Sequence, residues 1–166
     1  PASIAFADLL IAKITVNPGA SAVTAPTGWS FVDEVTSGSV RQRIYYRVTN
    51  ASEPASFSFG IAPSARAAGA IIALRGAEMV PPIFASYSER SDTGNALIAD
   101  SVNSTRNNSF LLTFFSQANG NGSITPTLPL TSRFATATGS GPNGVSIAAG
   151  SELLALAGPS GPRGAS

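Results

Sequence analysis

Asp8-Leu9-Leu10-Ile11-Ala12 is answered, about a hundred residues on, by Ser109-Phe110-Leu111-Leu112-Thr113-Phe114. Two further echoes follow. Thr24-Ala25-Pro26-Thr27, leading to Trp29 and Phe31, matches Ile124-Thr125-Pro126-Thr127, leading to Phe134. Ala73-Leu74-Arg75-Gly76 matches Ala155-Leu156-Ala157-Gly158. Each half therefore reads as strand, turn-rich loop, strand and closing strand. The pattern predicts one sandwich of two related sheets rather than an enzyme with a separate cofactor domain.

The strand reading rests on period-two alternation, which places successive side chains on opposite faces of a sheet. Residues 40–48 show it most cleanly. Val40, Gln42, Ile44, Tyr46 and Val48 share one face, and Arg41, Arg43, Tyr45 and Arg47 share the other. The first face is expected to point inward. Further strands are predicted over 9–16, 29–35, 55–61, 67–75, 83–87, 96–102, 110–115, 130–136, 145–149 and 151–156. Residues 110–115 are apolar on both faces and read as a central strand covered on both sides. Pro18-Gly19, Ser37-Gly38-Ser39, Asn119-Gly120-Asn121-Gly122 and Asn143-Gly144 supply turns. Helical periodicity is absent except around 65–74, where the Ile71-Ile72 ending favours a strand. The fold class is all-β: a two-sheet antiparallel sandwich, jelly-roll-like, with internal pseudo-duplication. Residues 1–157 form the sandwich domain, and 158–166 form a Gly-Pro-rich segment that reads as a turn, a last strand or the start of a stalk.

Composition bounds the chemistry. A chain of 166 residues suits one domain, with enough core to need no metal or disulfide. Charged residues make up 11% against about 25% in an ordinary domain. A surface of Ser, Thr, Asn, Gly and Ala packs against copies of itself with little desolvation cost. The net charge of +1 carries no field for nucleic acid. There is no Cys and no His, which excludes a thiol nucleophile, a serine–histidine triad and a Cys- or His-based zinc site. No apolar run approaches the length of a bilayer span, and no signal-peptide pattern is visible. No cofactor is expected.

The motifs DLLIA, TAPTGWSFVDEVTSG, RQRIYYRV, ASEPASFSF, AAGAIIALRG and LALAGPSGPR together resemble a jelly-roll-like β-sandwich module of phage tail and fibre proteins and of bacterial surface or secreted proteins. The resemblance runs from Asp8 to Arg163. It implies a non-enzymatic module in an extracellular, cell-surface or virion assembly, with copies of itself as partners and no membrane insertion. It also implies short strands ahead of Asp8 and beyond the Gly-Pro segment. A sequence boundary is the favoured reading of both ends, with strand donation by a neighbour as the other.

Five residues stand out as a ligand or partner surface. Arg41, Arg43, Tyr45 and Arg47 form a stripe suited to acidic glycan, phosphate or carboxylate. Trp29 is suited to stacking on a sugar ring if exposed, or to anchoring the core if buried. The plainer readings are a polar strand face and a core tryptophan beside Phe31. A carbohydrate-binding or adhesion domain is thus the alternative function. Lys13 lies mid-strand and is expected at a sheet edge with its amine reaching water; an isopeptide cross-link to Asn is the other reading. Asp33-Glu34 reads as a solvated strand end, and Glu89 to Asp92 as a possible calcium loop.

Overall fold

The structure, a computed structural model, describes residues 4–50, 52–78, 97–139 and 141–166. Every regular element among them is a strand: β1 (Leu9–Asn17), β2 (Ala22–Thr24), β3 (Ser30–Ser37), β4 (Val40–Val48), β5 (Gly60–Ala62), β6 (Arg66–Leu74), β7 (Leu97–Ala99), β8 (Asn103–Ser104), β9 (Ser109–Gln117), β10 (Thr131–Thr138), β11 (Val145–Leu154), β12 (Gly158–Pro159) and β13 (Arg163–Ala165). The expected strand over 83–87 and the candidate calcium loop at Glu89 to Asp92 lie outside the described residues.

Two antiparallel sheets carry the fold. One is ordered β3-β4-β1-β6 and the other β10-β11-β9. They pack face to face, with β6 against β10 and β11, β1 against β11, and β4 against β9. Outside the first sheet lies the β2–β5 pair, and outside the second the β7–β13 pair. Alternation along β1 explains the layering. Ala12, Ile14 and Val16 enter an apolar cluster with Val23, Tyr45, Trp29 and Phe59 under β2–β5. Lys13, Thr15 and Asn17 face the second sheet. A strand with two covered faces has no solvent side, which is why β1 is buried throughout.

The duplication holds in register as well as in sequence. In β3 an extra residue, Val32, bulges between Phe31 and Asp33; in β10 Arg133 bulges between Ser132 and Phe134. Beside the bulges, Ala12 pairs with Tyr45 in one sheet and Thr113 with Gly150 in the other. The outer pairing of β2 with β5 is answered by Pro126 bridging Ala165. Ile14 and Phe115 each enter the cluster under their own outer pair. One sequence echo fails. Ala73-Leu74 closes β6, but Ala155 to Ala157 follow β11, the counterpart of β4, so the two stretches do not correspond.

Other expectations change. The doubly covered centre of the second sheet is β11, whose first seven residues are buried, while β9 has a single paired neighbour among the described residues. The predicted strands over 145–149 and 151–156 are one strand, and 55–61 is reduced to β5. The Gly-Pro segment is paired into the fold, with β12 on β8 and β13 on β7. Among the described residues no helix is long and apolar enough to cross a membrane.

Candidate functional site

The Arg stripe lies on β4, on the face that meets the β2–β5 layer. Arg43 Nε donates to Glu34 Oε2, and Arg43 Nη1 donates to the Val23 carbonyl at 2.8 Å. Arg41 Nε stands 3.7 Å from Glu34 Oε1. Arg47 makes a bidentate pair with Glu53, at 2.9 and 3.1 Å, and donates to the Thr27 carbonyl at 3.0 Å. Its guanidinium also lies over the Phe57 ring, 5.6 Å from the centroid. Gly28 makes room for this arrangement. Its φ is +86°, and a Cβ there would sit 1.9 Å from Arg47 Nη1. Burial pushes the Glu53 carboxyl up, but hydrogen bonds from Arg47 and the Asn50 N–H hold it below its ordinary value. The Arg43 and Arg47 guanidinium groups are therefore already engaged by carboxylates and carbonyls of this chain, while Arg41 Nε lies near Glu34 without a hydrogen bond among the described residues.

Tyr45 is part of the core, at 4% exposure, and its hydroxyl donates to the Val23 carbonyl at 3.3 Å. Trp29 is half-buried, edge-on to Phe57 at 5.1 Å and Phe59 at 5.4 Å. Among the described residues its indole N–H has no acceptor. Phe31, expected to share the Trp29 core, is 56% exposed and stands edge-on to Tyr45 at 5.8 Å. The five singled-out residues do come together at one face. They do so in a cluster that brings in Glu34, Glu53, Phe57 and Phe59 as partners, which the sequence reading did not connect to the stripe. The i to i+2 spacing of Phe57 and Phe59 was the available signal for the aromatic part.

Lys13 departs furthest from expectation. It occupies an inner strand of its sheet, is fully buried, and donates from Nζ to the Phe115 carbonyl. Its ammonium position lies 5.6 Å from the Phe114 ring centroid. Among the described residues no ion pair or Asn bond engages it, and burial pushes its pKa well below the ordinary lysine value. The edge and cross-link readings both fail, because β1 has neighbours on both sides and the amine's partner is a backbone carbonyl. Beside it the Thr15 and Ser116 hydroxyls lie 3.0 Å apart, and Ser116 Oγ donates to Gln42 Oε1 at 2.9 Å. Asn17 Nδ2 reaches the Gly144 carbonyl at 3.4 Å. These groups form a polar seam between the sheets.

Asp33 and Glu34 lie on opposite faces of β3, half-buried rather than at a solvated strand end. Glu34 serves the two arginines, while Asp33 accepts the Glu34 N–H at 2.8 Å and has its pKa raised by burial. Among the described residues, no group of three or more metal-ligating side chains is present. Comparison with protein-family models, with curated proteins and with solved structures finds no match to this chain.

Proposed function

We propose that the chain is a structural, non-enzymatic module that assembles with copies of itself in an extracellular or virion structure, such as a phage fibre or decoration layer or a bacterial surface filament. The observation that carries this reading is how the charges are spent. Arg41 and Arg43 are held by Glu34, Arg47 by Glu53, Arg75 by Asp8, Arg106 by Glu78 and Arg163 by Glu152. Pairing within the chain leaves an outer surface of Ser, Thr, Ala and Gly with little charge to desolvate when two copies meet. The motif resemblance points the same way.

The glycan-binding alternative draws on the exposed ring of Phe31 beside Tyr45. It has less support, because the arginines that would grip an acidic sugar are engaged and Trp29 packs between Phe57 and Phe59. Sedimentation velocity from micromolar to millimolar concentration, followed by electron microscopy, tests the assembly reading. Concentration-dependent growth into ordered filaments or symmetric particles is expected. A chain that stays monomeric throughout, and binds glycans through Phe31, would replace it with the alternative.

A further inference from the structure

Asparagine followed by glycine is chemically labile, because the glycine nitrogen can reach the asparagine side-chain carbonyl and no Cβ shields it. The chain holds three such pairs: Asn119-Gly120, Asn121-Gly122 and Asn143-Gly144. All three asparagines are exposed. Exposure therefore does not rank them. The glycine that follows each one does, since its nitrogen is the attacking atom.

Two of the three nitrogens are occupied. Gly120 N–H donates to the Gly141 carbonyl at 3.0 Å, and Gly144 N–H donates to the same carbonyl at 3.1 Å. Both glycines are buried against backbone. A Cβ on Gly120 would lie 2.1 Å from the Gly139 oxygen, and one on Gly144 would lie 2.4 Å from Gly120 Cα. Asn119 is held as well, since its Oδ1 accepts the Asn121 N–H at 3.0 Å. Gly122 differs on each count. It is half-buried, and what stands closest over it is the amide end of the Gln117 side chain, 1.9 Å from where a Cβ would sit. A side chain can rotate away where backbone cannot. Among the described residues, neither the Gly122 N–H nor the Asn121 side-chain amide has a hydrogen-bond partner.

We infer that Asn121 is a self-modification site, at which the folded chain deamidates while the fold shields Asn119 and Asn143. The Gly122 nitrogen gives its proton to water or hydroxide and bonds to Asn121 Cγ, closing a cyclic imide. The bond from Cγ to the side-chain nitrogen breaks, and that nitrogen takes up a proton and leaves as ammonia. One water then opens the imide at either carbonyl, leaving aspartate or isoaspartate. Water is the only co-reactant, and nothing is oxidised or reduced. The new carboxylate takes the net charge from +1 to 0 and puts the first charge into residues 118–130. Isoaspartate also adds one main-chain atom between the Asn119 and Gly122 carbonyls. The Ser146 hydroxyl reaches both, Gly122 at 2.7 Å, so the longer chain loosens the loop from the buried start of β11. The site stands independently of the assembly reading.

The purified chain is aged at mildly alkaline pH, one sample folded and one in concentrated urea. Peptide mapping by mass spectrometry, with electron-transfer fragmentation to distinguish isoaspartate, follows each asparagine over time. In the folded sample Asn121 should convert about tenfold faster than Asn119 or Asn143, because attack requires a near-attack geometry that the other two glycines cannot reach. In urea the three rates should converge, which shows that the fold sets the ranking. Asn121→Gln should abolish the first acidic species that isoelectric focusing detects in the aged parent, with the thermal melt unchanged. Conversion at Asn119 or Asn143 that keeps pace with Asn121 in the folded chain would overturn the site. So would an Asn121 that stays intact in the folded chain, or an acidic species that forms undiminished in the Asn121→Gln variant.

Discussion

The two sheets are built to one plan and differ among the described residues. In the first, β1 has neighbours on both edges and layers on both faces, and it is buried along its whole length. In the second, β9 starts from a similar apolar stretch but has one described neighbour, and Phe110 near its start is 44% exposed. The interface between the sheets divides in the same sense. Where β6 lies beneath β10 and β11, Ala68, Val145 and Ile147 make a dry contact. Where β9 lies above β1 and β4, Lys13, Thr15, Ser116 and Gln42 make a polar one. The contrast teaches that similar strand sequences do not fix a strand's place in a sheet. The number of neighbours does, and neighbours come from distant segments.

Counterpart positions let the comparison be broken. Ile14 and Phe115 each anchor the outer cluster of their own half. Phe115→Ala is expected to cost about 3–5 kcal/mol and Ile14→Ala about 2–5 kcal/mol, from lost burial plus an unfilled cavity. If the halves fold as one unit, both substitutions move a single transition in chemical denaturation. Two transitions, with Phe115→Ala lowering only one, would mean that the sheets are independent despite the seam between them.

Tyr45 and Gly150 hold the same place beside their bulges and solve it oppositely. Tyr45 fills its cluster with a ring. At Gly150 a Cβ would lie 2.9 Å from Leu130 Cβ and 3.0 Å from Pro126 Cβ, so the neighbouring loop closes directly onto the backbone. Gly150→Ala is expected to destabilise by about 1–3 kcal/mol through overpacking. A thermal melt unchanged from that of the parent chain would show that the loop has room to yield and that the second cluster is the looser of the two.

Lys13 sharpens the contrast between dry and polar halves. Its folded-state pKa lies well below the ordinary value of 10.5 because burial disfavours the charged amine. In the unfolded chain the amine takes up a proton at any pH below about 10.5. Between its folded and unfolded pKa values the unfolded state therefore binds more protons, and stability rises with pH. The slope approaches about 1.4 kcal/mol per pH unit for one proton. Lys13→Met should remove that slope, leaving the Phe115 carbonyl without its donor. Urea titrations between pH 7 and 10 on both chains read the difference directly. Parallel pH profiles would mean that Lys13 stays protonated in the folded chain.

Much of this architecture is legible in the sequence, and the limits have physical causes. The sequence reading located β1, β3, β4, β6, β9 and β10 to within a few residues and divided β11 in two; alternation is plainest in β4, while β6 was read from its Ile71-Ile72 ending and β9 from an apolar run on both faces. β2 and β8 are too short to show a period. The all-β sandwich with its duplication was readable, down to Asp8-Leu9-Leu10 lining up with Ser109-Phe110-Leu111. The bulges at Val32 and Arg133 were not, since a bulge only exists relative to a partner strand. Lys13 was misplaced because charge patterning marks an edge only when the strand's neighbours are known. The Arg stripe was legible as a set of residues but not as a site, because Glu34, Glu53 and the Val23 carbonyl come from other segments.

The smallest effect concerns the hairpins that carry the bulges. In the first sheet Glu34 ties β3 to β4 through Arg43 and Arg41, whose side chains are 24% and 23% exposed. In the second, the bulged Arg133 itself crosses to β11, donating to Ser151 Oγ at 2.5 Å and lying 5.8 Å from the Phe110 ring centroid. The first tie is an ion pair and the second a charged donor on a hydroxyl and an aromatic face. A partly exposed ion pair contributes about 0.2–1 kcal/mol and weakens with salt. Glu34→Gln should therefore cost no more than that, and the difference between variant and parent should shrink between low salt and 1 M salt. Arg133→Gln should cost a similar amount with little salt dependence, because neither of its partners carries charge. If the salt responses were reversed, the hairpins would be held by something other than these side chains, and the bulge would be set by the backbone register alone.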